Sequence, residues 1–168
     1  MGARIKSTAY ARIDKANAVA SDPVILAALV AKNSEGESMA AVQAKDREWI
    51  AGSTALQAKL TSSECAARLR ELIEDDSLIV EALLMDAQGA LVCASSAPSD
   101  YWQGDELKWQ RTYEQGARVF VDEPAHDAST DTYAIQLSVQ VLQDDRAIGA
   151  LTLTLKLRGD AQPPSGAN

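Results

Sequence analysis

Apolar residues recur at every third or fourth position over the first part of the chain. From Arg4 to Val19 this spacing places them on one side of a single long helix. Because alanine buries little surface, an alanine-rich stripe suits close packing against another helix, either in this chain or in a second copy of it. The stripe is formed by Ile5, Ala9, Ile13, Ala16 and Ala20.

Capping signals predict that the helical region continues to about position 75. Asp22 is a good N-cap, and Pro23 follows it in the first turn, where the missing N–H of proline costs nothing. The segment 38–50 predicts a further helix. Thr61 and Glu64 have the spacing of a capping box for the last helix of this region.

The apolar spacing then changes from helical to alternating. Residues 77–96 predict a β-hairpin whose turn ends on Gly89. A third strand is predicted over 117–123. Every second residue is apolar over 133–141, and after a turn the alternation resumes and continues to Leu157, which predicts two further half-buried strands.

This order of elements predicts an α+β fold with a mostly antiparallel sheet of five strands. The N-terminal helices are expected on one face of the sheet, and the connection between the second and third strands on the other. Residues 1–157 form one predicted domain, helical over 1–76 and with the sheet and a crossover helix over 77–157. The remainder, 158–168, predicts a disordered tail or linker.

Composition narrows the class of partner. With 168 residues, 46% of them hydrophobic, the chain can bury the core of one ordinary domain. The net charge of −8 disfavours nucleic acid and anionic membrane surfaces. No apolar run approaches the roughly 20 residues needed to cross a bilayer, and the opening residues lack the apolar centre of a secretion signal.

Catalytic and metal-binding patterns are weak. No nucleophile elbow or phosphate-binding glycine loop occurs, so we expect neither an enzyme nor a cofactor. The acidic segment 122–131 around His126 lacks the ligand spacing of a calcium loop, and we expect it to be a solvated loop without metal. Cys65 and Cys93 fit no metal spacing. We expect two separate buried thiols, although the sequence does not decide whether they pair.

The segment "SDYWQGDELKWQRTY", residues 99–113, holds four of the eight aromatic residues of the chain. If it is helical from Asp105, then Asp105, Trp109 and Tyr113 share one face at positions i, i+4 and i+8. Tyr101 and Trp102 precede that helix in a loop, where no periodicity explains them. These aromatic residues either fill a core or line a ligand pocket.

Two stretches carry a resemblance to a known family. The run from "MDAQGALVCASS" through the aromatic segment, and then "GARVFVDEPAHDASTDTYAIQLSVQVLQDDRAIGALTLTL", resemble the PAS-like Cache (PDC) sensor domains. Among these the chain is most similar to single-module bacterial extracytoplasmic sensors that carry the motif "YWQGD". The resemblance is strong over 77–157 and looser over the N-terminal helices.

The resemblance implies a long N-terminal helix, a five-stranded antiparallel sheet, and a ligand pocket between the sheet and the crossover. It implies a periplasmic location, with a signal or membrane anchor absent from this chain, and a chemoreceptor-like output outside it. The family's arginine has no clean counterpart, because Asp105 and Glu106 stand there, so a polar ligand such as an amine is favoured over a carboxylate. The expected ligand-binding residues are Tyr101, Trp102, Asp105, Trp109, Tyr113, Asp127 and Tyr133.

Two alternatives stay open. The first is a ligand-free interaction module that forms a homodimer through its N-terminal helix, with the aromatic segment as core. The second is a soluble periplasmic binding protein that serves a separate receptor.

Overall fold

The computed structural model describes residues 2–158. Of the predicted tail only Arg158 falls in this range, and it belongs to the last strand. No helix in the described residues is long and apolar enough to span a membrane. Six helices come first in the chain: α1 Gly2–Tyr10, α2 Ile13–Ala20, α3 Pro23–Ser34, α4 Met39–Ile50, α5 Thr54–Ser62 and α6 Glu64–Asp75.

A single antiparallel sheet follows the helices. Its order is β2-β1-β6-β5-β3, and β4 pairs with the other end of β5. Between β2 and β3 lie a one-turn helix, α7, Leu107–Trp109, and a π-helix, Gln110–Glu114. The strands are β1 Ile79–Met85, β2 Leu91–Ala94, β3 Val119–Val121, β4 Ala125–Asp127, β5 Thr132–Gln143 and β6 Arg146–Arg158.

The two faces of the sheet differ in what covers them. Helices α1, α2, α3 and α6 cover one face, which we call the helical face, and its core includes the apolar residues of β5 and β6 such as Leu137 and Leu153. The segment between β2 and β3 covers the other face, together with side chains of α4 and α5 that join the apolar cluster of Leu83, Met85 and Trp109. Residues 101–116 of that segment are called the crossover below, and the surface under them the crossover face. The expected division is confirmed for the crossover, whereas the apolar side chains of α4 and α5 pack with it and not in the core that the other N-terminal helices form on the helical face.

The α+β class and antiparallel sheet are confirmed, with differences in detail. The sheet has six strands in place of five, because part of the predicted acidic loop, His126 included, pairs with β5 as β4. The expected long N-terminal helix is divided into α1 and α2 by a turn at Ala11 and Arg12. Its alanine stripe is buried in the helical-face core of the same chain and is therefore not free to bind a second copy.

Two cap predictions have different outcomes. Asp22 caps α3, and its side chain accepts a hydrogen bond from the Val24 amide as predicted. The capping box at Thr61 is wrong, because Ser63 caps α6 and Thr61 still belongs to α5.

The expectation of two separate thiols is also wrong, since Cys65 and Cys93 form a disulfide. Helix α6 packs on the edge strand β2 and brings the two Cα atoms to 6.0 Å, a normal separation for a disulfide.

Candidate functional site

The crossover is anchored to the turn between β1 and β2. The Leu91 amide donates to the Tyr101 carbonyl, and the Gln103 amide donates to the Gly89 carbonyl. The two backbones approach so closely that a Cβ atom on Gly89 would lie 2.4 Å from the Gly104 Cα. A Cβ atom on Gly104, the glycine of the "YWQGD" motif, would itself lie 2.5 Å from the Trp102 indole nitrogen, so part of the motif serves the fold.

The aromatic residues of the crossover gather around the same turn. The indole N–H of Trp102 donates to the Gln88 carbonyl at 2.9 Å, and that of Trp109 donates to the Asp86 carbonyl at 3.0 Å. The rings of Trp109 and Tyr113 stack with centroids 5.3 Å apart. Burial and the charge of Asp86 raise the pKa of Tyr113, so its hydroxyl stays protonated. Trp109 is 7% exposed, and it is therefore a core residue that also forms one wall of the crossover.

The helical turn in the crossover is short and irregular. Helix α7 begins only at Leu107, so Asp105 precedes it and is exposed, off the face that carries Trp109. After Trp109 the chain widens into the π-helix. Such wide turns are rare and occur frequently at functional sites.

Two polar side chains are buried in the crossover with hydrogen-bonding capacity to spare. Gln103 is 1% exposed; its amide nitrogen donates to Asp100, whereas its Oε1 is the one buried side-chain polar atom without a partner among the described residues. Lys108 is 4% exposed, and its ammonium forms an ion pair at 2.7 Å with the partly exposed Glu106. An ammonium has three N–H donors, so Lys108 can bind further acceptors.

The sheet surface under the crossover is also polar. Ser138 of β5 and Thr152 of β6 are buried and share a hydrogen bond of 2.7 Å. Gln140, on the same side of β5 as Ser138, donates to the carbonyl of the buried Thr112 in the π-helix. The crossover and the sheet thus enclose these buried polar groups beside a second apolar cluster, which includes Leu83, Met85, Tyr101 and Trp109.

A buried charged cluster lies beside the anchored turn. Lys32 is within 2.6 Å of Glu37 and 3.6 Å of Asp86, and Lys45 reaches the other oxygen of Glu37 at 2.5 Å. Burial by itself would lower the pKa of Lys32, but the hydrogen bond to Glu37 and the nearby negative charge raise it above its usual value. Burial raises the pKa of Tyr101, whose hydroxyl lies 3.4 Å from Glu37, to about 12. The cluster is therefore two ammonium groups and a neutral phenol around two carboxylates.

Asn33 ties the same turn to helix α3. Its side-chain amide donates to the Ile148 carbonyl at 2.8 Å, and its side-chain oxygen accepts from the Ala87 amide at 3.0 Å. Gln88 of the turn also donates to the backbone carbonyl of Glu37. The turn at 86–89 is thus in contact with the crossover on one side and with α3 on the other.

The structure brings together Tyr101, Trp102, Trp109 and Tyr113 but separates them from the other predicted ligand residues. Asp127 pairs with Thr132 at the start of β5, eight residues before Gln140, which at about 3.3 Å per residue is roughly 26 Å along the strand. The side chain of Asp127 accepts from Ser129, which lowers its pKa.

Tyr133 lies on the helical face, where it packs against the core and its ring is 4.7 Å from that of His126. His126 itself pairs with Asp131 at 3.1 Å. In residues 2–158 there is no group of three or more histidine, cysteine or acidic side chains placed to hold a metal ion.

Gln103 and Lys108 were not predicted as site residues. Lysine and glutamine are normally solvated, and the one available signal was their position between buried aromatic residues in the same segment. The spacing of Lys108 and Thr112, four residues apart, places both on the buried side of the crossover.

Comparison with known proteins shows which solved structures share this fold. No protein-family model matches the chain, and a search of curated proteins gives no match either. Among solved structures, the sensor domain of the V. cholerae histidine kinase DctB is 12% identical, with a TM-score of 0.54 over 92% of this chain and 50% of that chain. The extracellular domain assigned to the histidine kinase vpHK1S-Z8 is 9% identical, with a TM-score of 0.51 over 92% and 53%.

A further similar structure is the ligand-binding domain of the Pseudomonas aeruginosa PAO1 amino acid chemoreceptor PctC in complex with GABA. It is 20% identical, with a TM-score of 0.45 over 65% of this chain and 53% of that chain. This chain spans about half the length of the structures it matches. The first two similarities confirm the fold of a Cache-type sensor domain that the sequence resemblance implied.

Proposed function

We propose that this chain is the sensing part of an extracytoplasmic signal receptor, and that it binds a small polar molecule between the crossover and the sheet. The observation that carries this proposal is the presence of two buried polar side chains, Gln103 and Lys108, beside the apolar cluster under the crossover. Buried polar groups without partners cost stability, so a contact with a structural role only would be expected to be apolar at these positions. Gln103 and Lys108 instead keep spare acceptor and donor capacity in a buried position.

The chemistry of these groups favours a ligand with both a donor and an acceptor. Gln103 Oε1 would accept from an ammonium or amide N–H of the ligand, and the aromatic faces of Trp109 and Tyr113 suit the same group. Lys108 would donate to a carboxylate or carbonyl. An amine with a second polar group, or a zwitterion, meets both requirements, whereas a purely apolar molecule meets neither.

Two further observations support an extracytoplasmic sensor. The fold matches that of the DctB sensor domain over nearly the whole chain. The disulfide between Cys65 and Cys93 is typical of oxidising compartments.

The anchored turn gives the site a route to the N-terminal helices. A ligand that moves Trp109 would act on the Asp86 carbonyl, and Asn33 and Lys32 connect this turn to α3. Such transmission requires that the ligand bind two arrangements of the crossover with different affinity. We therefore expect Asn33→Ala to preserve ligand binding and to weaken the ligand-induced change in hydrogen exchange of α3.

Thermal unfolding against a library of amino acids, amines, organic acids and nucleobases tests the proposal. A ligand at 100 times its dissociation constant adds about 2.7 kcal/mol, and roughly 5 to 11 °C in melting temperature. Lys108→Met and Gln103→Leu should abolish the shift, whereas Lys156→Met, an exposed lysine on β6, should keep it. Equal stabilisation of all variants, or no stabilisation by the library, would contradict a site under the crossover.

A further inference from the structure

We propose that the groove between α3 and α5 is a second ligand site, for a small amphipathic carboxylate. The groove has a volume of about 550 Å³ and lies at the edge of the sheet over β2, on the side of the helices. That volume is within the range of small-molecule sites. This site is separate from the proposed site under the crossover and does not depend on it.

The middle of the groove is apolar. Helix α3 contributes small side chains that leave the space open, α5 contributes two leucines, and β2 contributes the floor. These surfaces match a short hydrocarbon body, which gains about 25 cal/mol for each Å² of apolar surface removed from water. The apolar lining residues are Val24, Ala27, Ala28, Ala31, Leu56, Leu60 and Val92.

One end of the groove is lined by hydrogen-bond donors. The side chains of Lys32, Lys45 and Tyr101 line this end, but Glu37, the carboxylate that all three approach, is not among the lining residues. The Tyr101 hydroxyl donates to Glu37 over 3.4 Å, which is a long hydrogen bond. A carboxylate placed there would accept charge-assisted hydrogen bonds from the donors that line this end.

The charges at the rim agree with an anion. Lys59 lines the groove and forms no ion pair with any acidic group in the described residues. Of the acidic lining residues, Glu35 lies 3.6 Å from Lys32, and Glu64 is exposed to solvent. Lys32 and Lys45 are paired with Glu37, so among the described residues Lys59 supplies the unpaired positive charge of the lining.

Titration of the chain with sodium octanoate, followed by calorimetry and by amide chemical shifts, tests this site. We expect octanoate to bind at least about tenfold more tightly than octylamine, which has the same body and the opposite charge. Shifts should concentrate at Ala28, Ala31 and Leu60. Ala31→Phe, which fills the groove from an exposed position, should weaken binding at least about tenfold. Ala58→Phe, on the same helix as Leu60 but outside the groove, should not.

Charge is tested by a second matched pair. Lys59→Met should weaken octanoate binding severalfold, whereas Lys156→Met should leave it unchanged, and thermal unfolding of each variant checks that it is folded. The absence of binding by octanoate, equal affinity for octylamine, or full binding by Ala31→Phe would overturn the proposal. Binding that is lost in Lys108→Met and kept in Ala31→Phe would assign octanoate to the crossover site and would likewise overturn it.

Discussion

Removal of the disulfide between Cys65 and Cys93 should destabilise the domain by an amount that depends on the length of the loop that the bond closes. The two residues are 28 apart in sequence, and the chain-entropy relation for a loop of that length gives about 3.6 kcal/mol. Both cysteines are buried, and the bond joins α6 to the edge strand that forms the floor of the α3–α5 groove. We therefore expect the loss of stability to come mainly from the unfolded state, whose conformational entropy rises when the loop is open.

Urea unfolding of three forms of the protein measures this effect. The oxidised chain is compared with the reduced chain, which keeps both sulfur atoms, and with the double variant Cys65→Ala/Cys93→Ala. In urea the reduced chain should be about 3.6 kcal/mol less stable than the oxidised one, and in a thermal scan it should melt roughly 7 to 14 °C lower, at about 2 to 4 °C for each kcal/mol. The double variant should be slightly less stable still, because two buried sulfur atoms are lost.

Alkylation of the native oxidised chain provides the control, since no free thiol should react. A reduced chain within about 1 kcal/mol of the oxidised one would refute the reasoning. The same conclusion would follow from two reactive thiols in the native protein. Two reactive thiols would also remove the disulfide as support for an oxidising compartment.

Three further outcomes are expected. Trp109→Phe should cost about 1 to 2 kcal/mol in urea unfolding because its indole N–H bond to Asp86 is lost, and no change would mean that this bond does not form. Gly104→Ala should destabilise by about 1 to 3 kcal/mol, since the added Cβ would lie 2.5 Å from the Trp102 indole nitrogen; a neutral result would contradict the close packing. Burial alone would raise the pKa of Glu37, but bonds from two lysines hold it below 4.5. The stabilisation that ionised Glu37 contributes is therefore present above pH 4.5 and is lost as the pH falls through its lower pKa in the folded protein. The destabilisation caused by Glu37→Gln should accordingly shrink on acidification, and a destabilisation that does not change with pH would be inconsistent with the lowered pKa.

The elements that depend on local chemistry could be predicted from the sequence. Asp22 and Pro23 mark the start of α3, and the alternation after Tyr133 marks β5 and which of its residues face the helices. These signals are local because a cap or a pleat involves residues within a few positions of each other. The helical-face core and the overall α+β class follow from them.

The features that were missed depend on contacts between distant segments. The pairing of Cys65 with Cys93 requires that α6 pack on β2, which no spacing in the sequence encodes. Asp127 lies on β4, which pairs with the end of β5 that is far from the crossover. Tyr133 lies on β5 itself, but its side chain points to the helical face.

Lys108 illustrates a different limit. Next to exposed Leu107 and buried Trp109, it has the sequence context of an ordinary solvated lysine. Its burial depends on how the crossover packs on the sheet, where Lys108 and Thr112 lie on the buried side. The sequence around a lysine does not encode such a contact between distant segments, and the burial of Lys108 was not predicted for that reason.

The most direct test of a ligand site under the crossover uses the three tryptophan indole N–H groups as reporters in proton–nitrogen NMR spectra. The Trp102 and Trp109 indoles donate to the turn that the crossover contacts, whereas the Trp49 indole packs near Tyr101 but donates to the Pro98 carbonyl, before the crossover begins. On addition of pooled amino acids and amines, the account predicts that the Trp109 signal moves most, the Trp102 signal moves less, and the Trp49 signal stays in place. Movement of the Trp49 signal alone, or of none of the three with every pool, would contradict it.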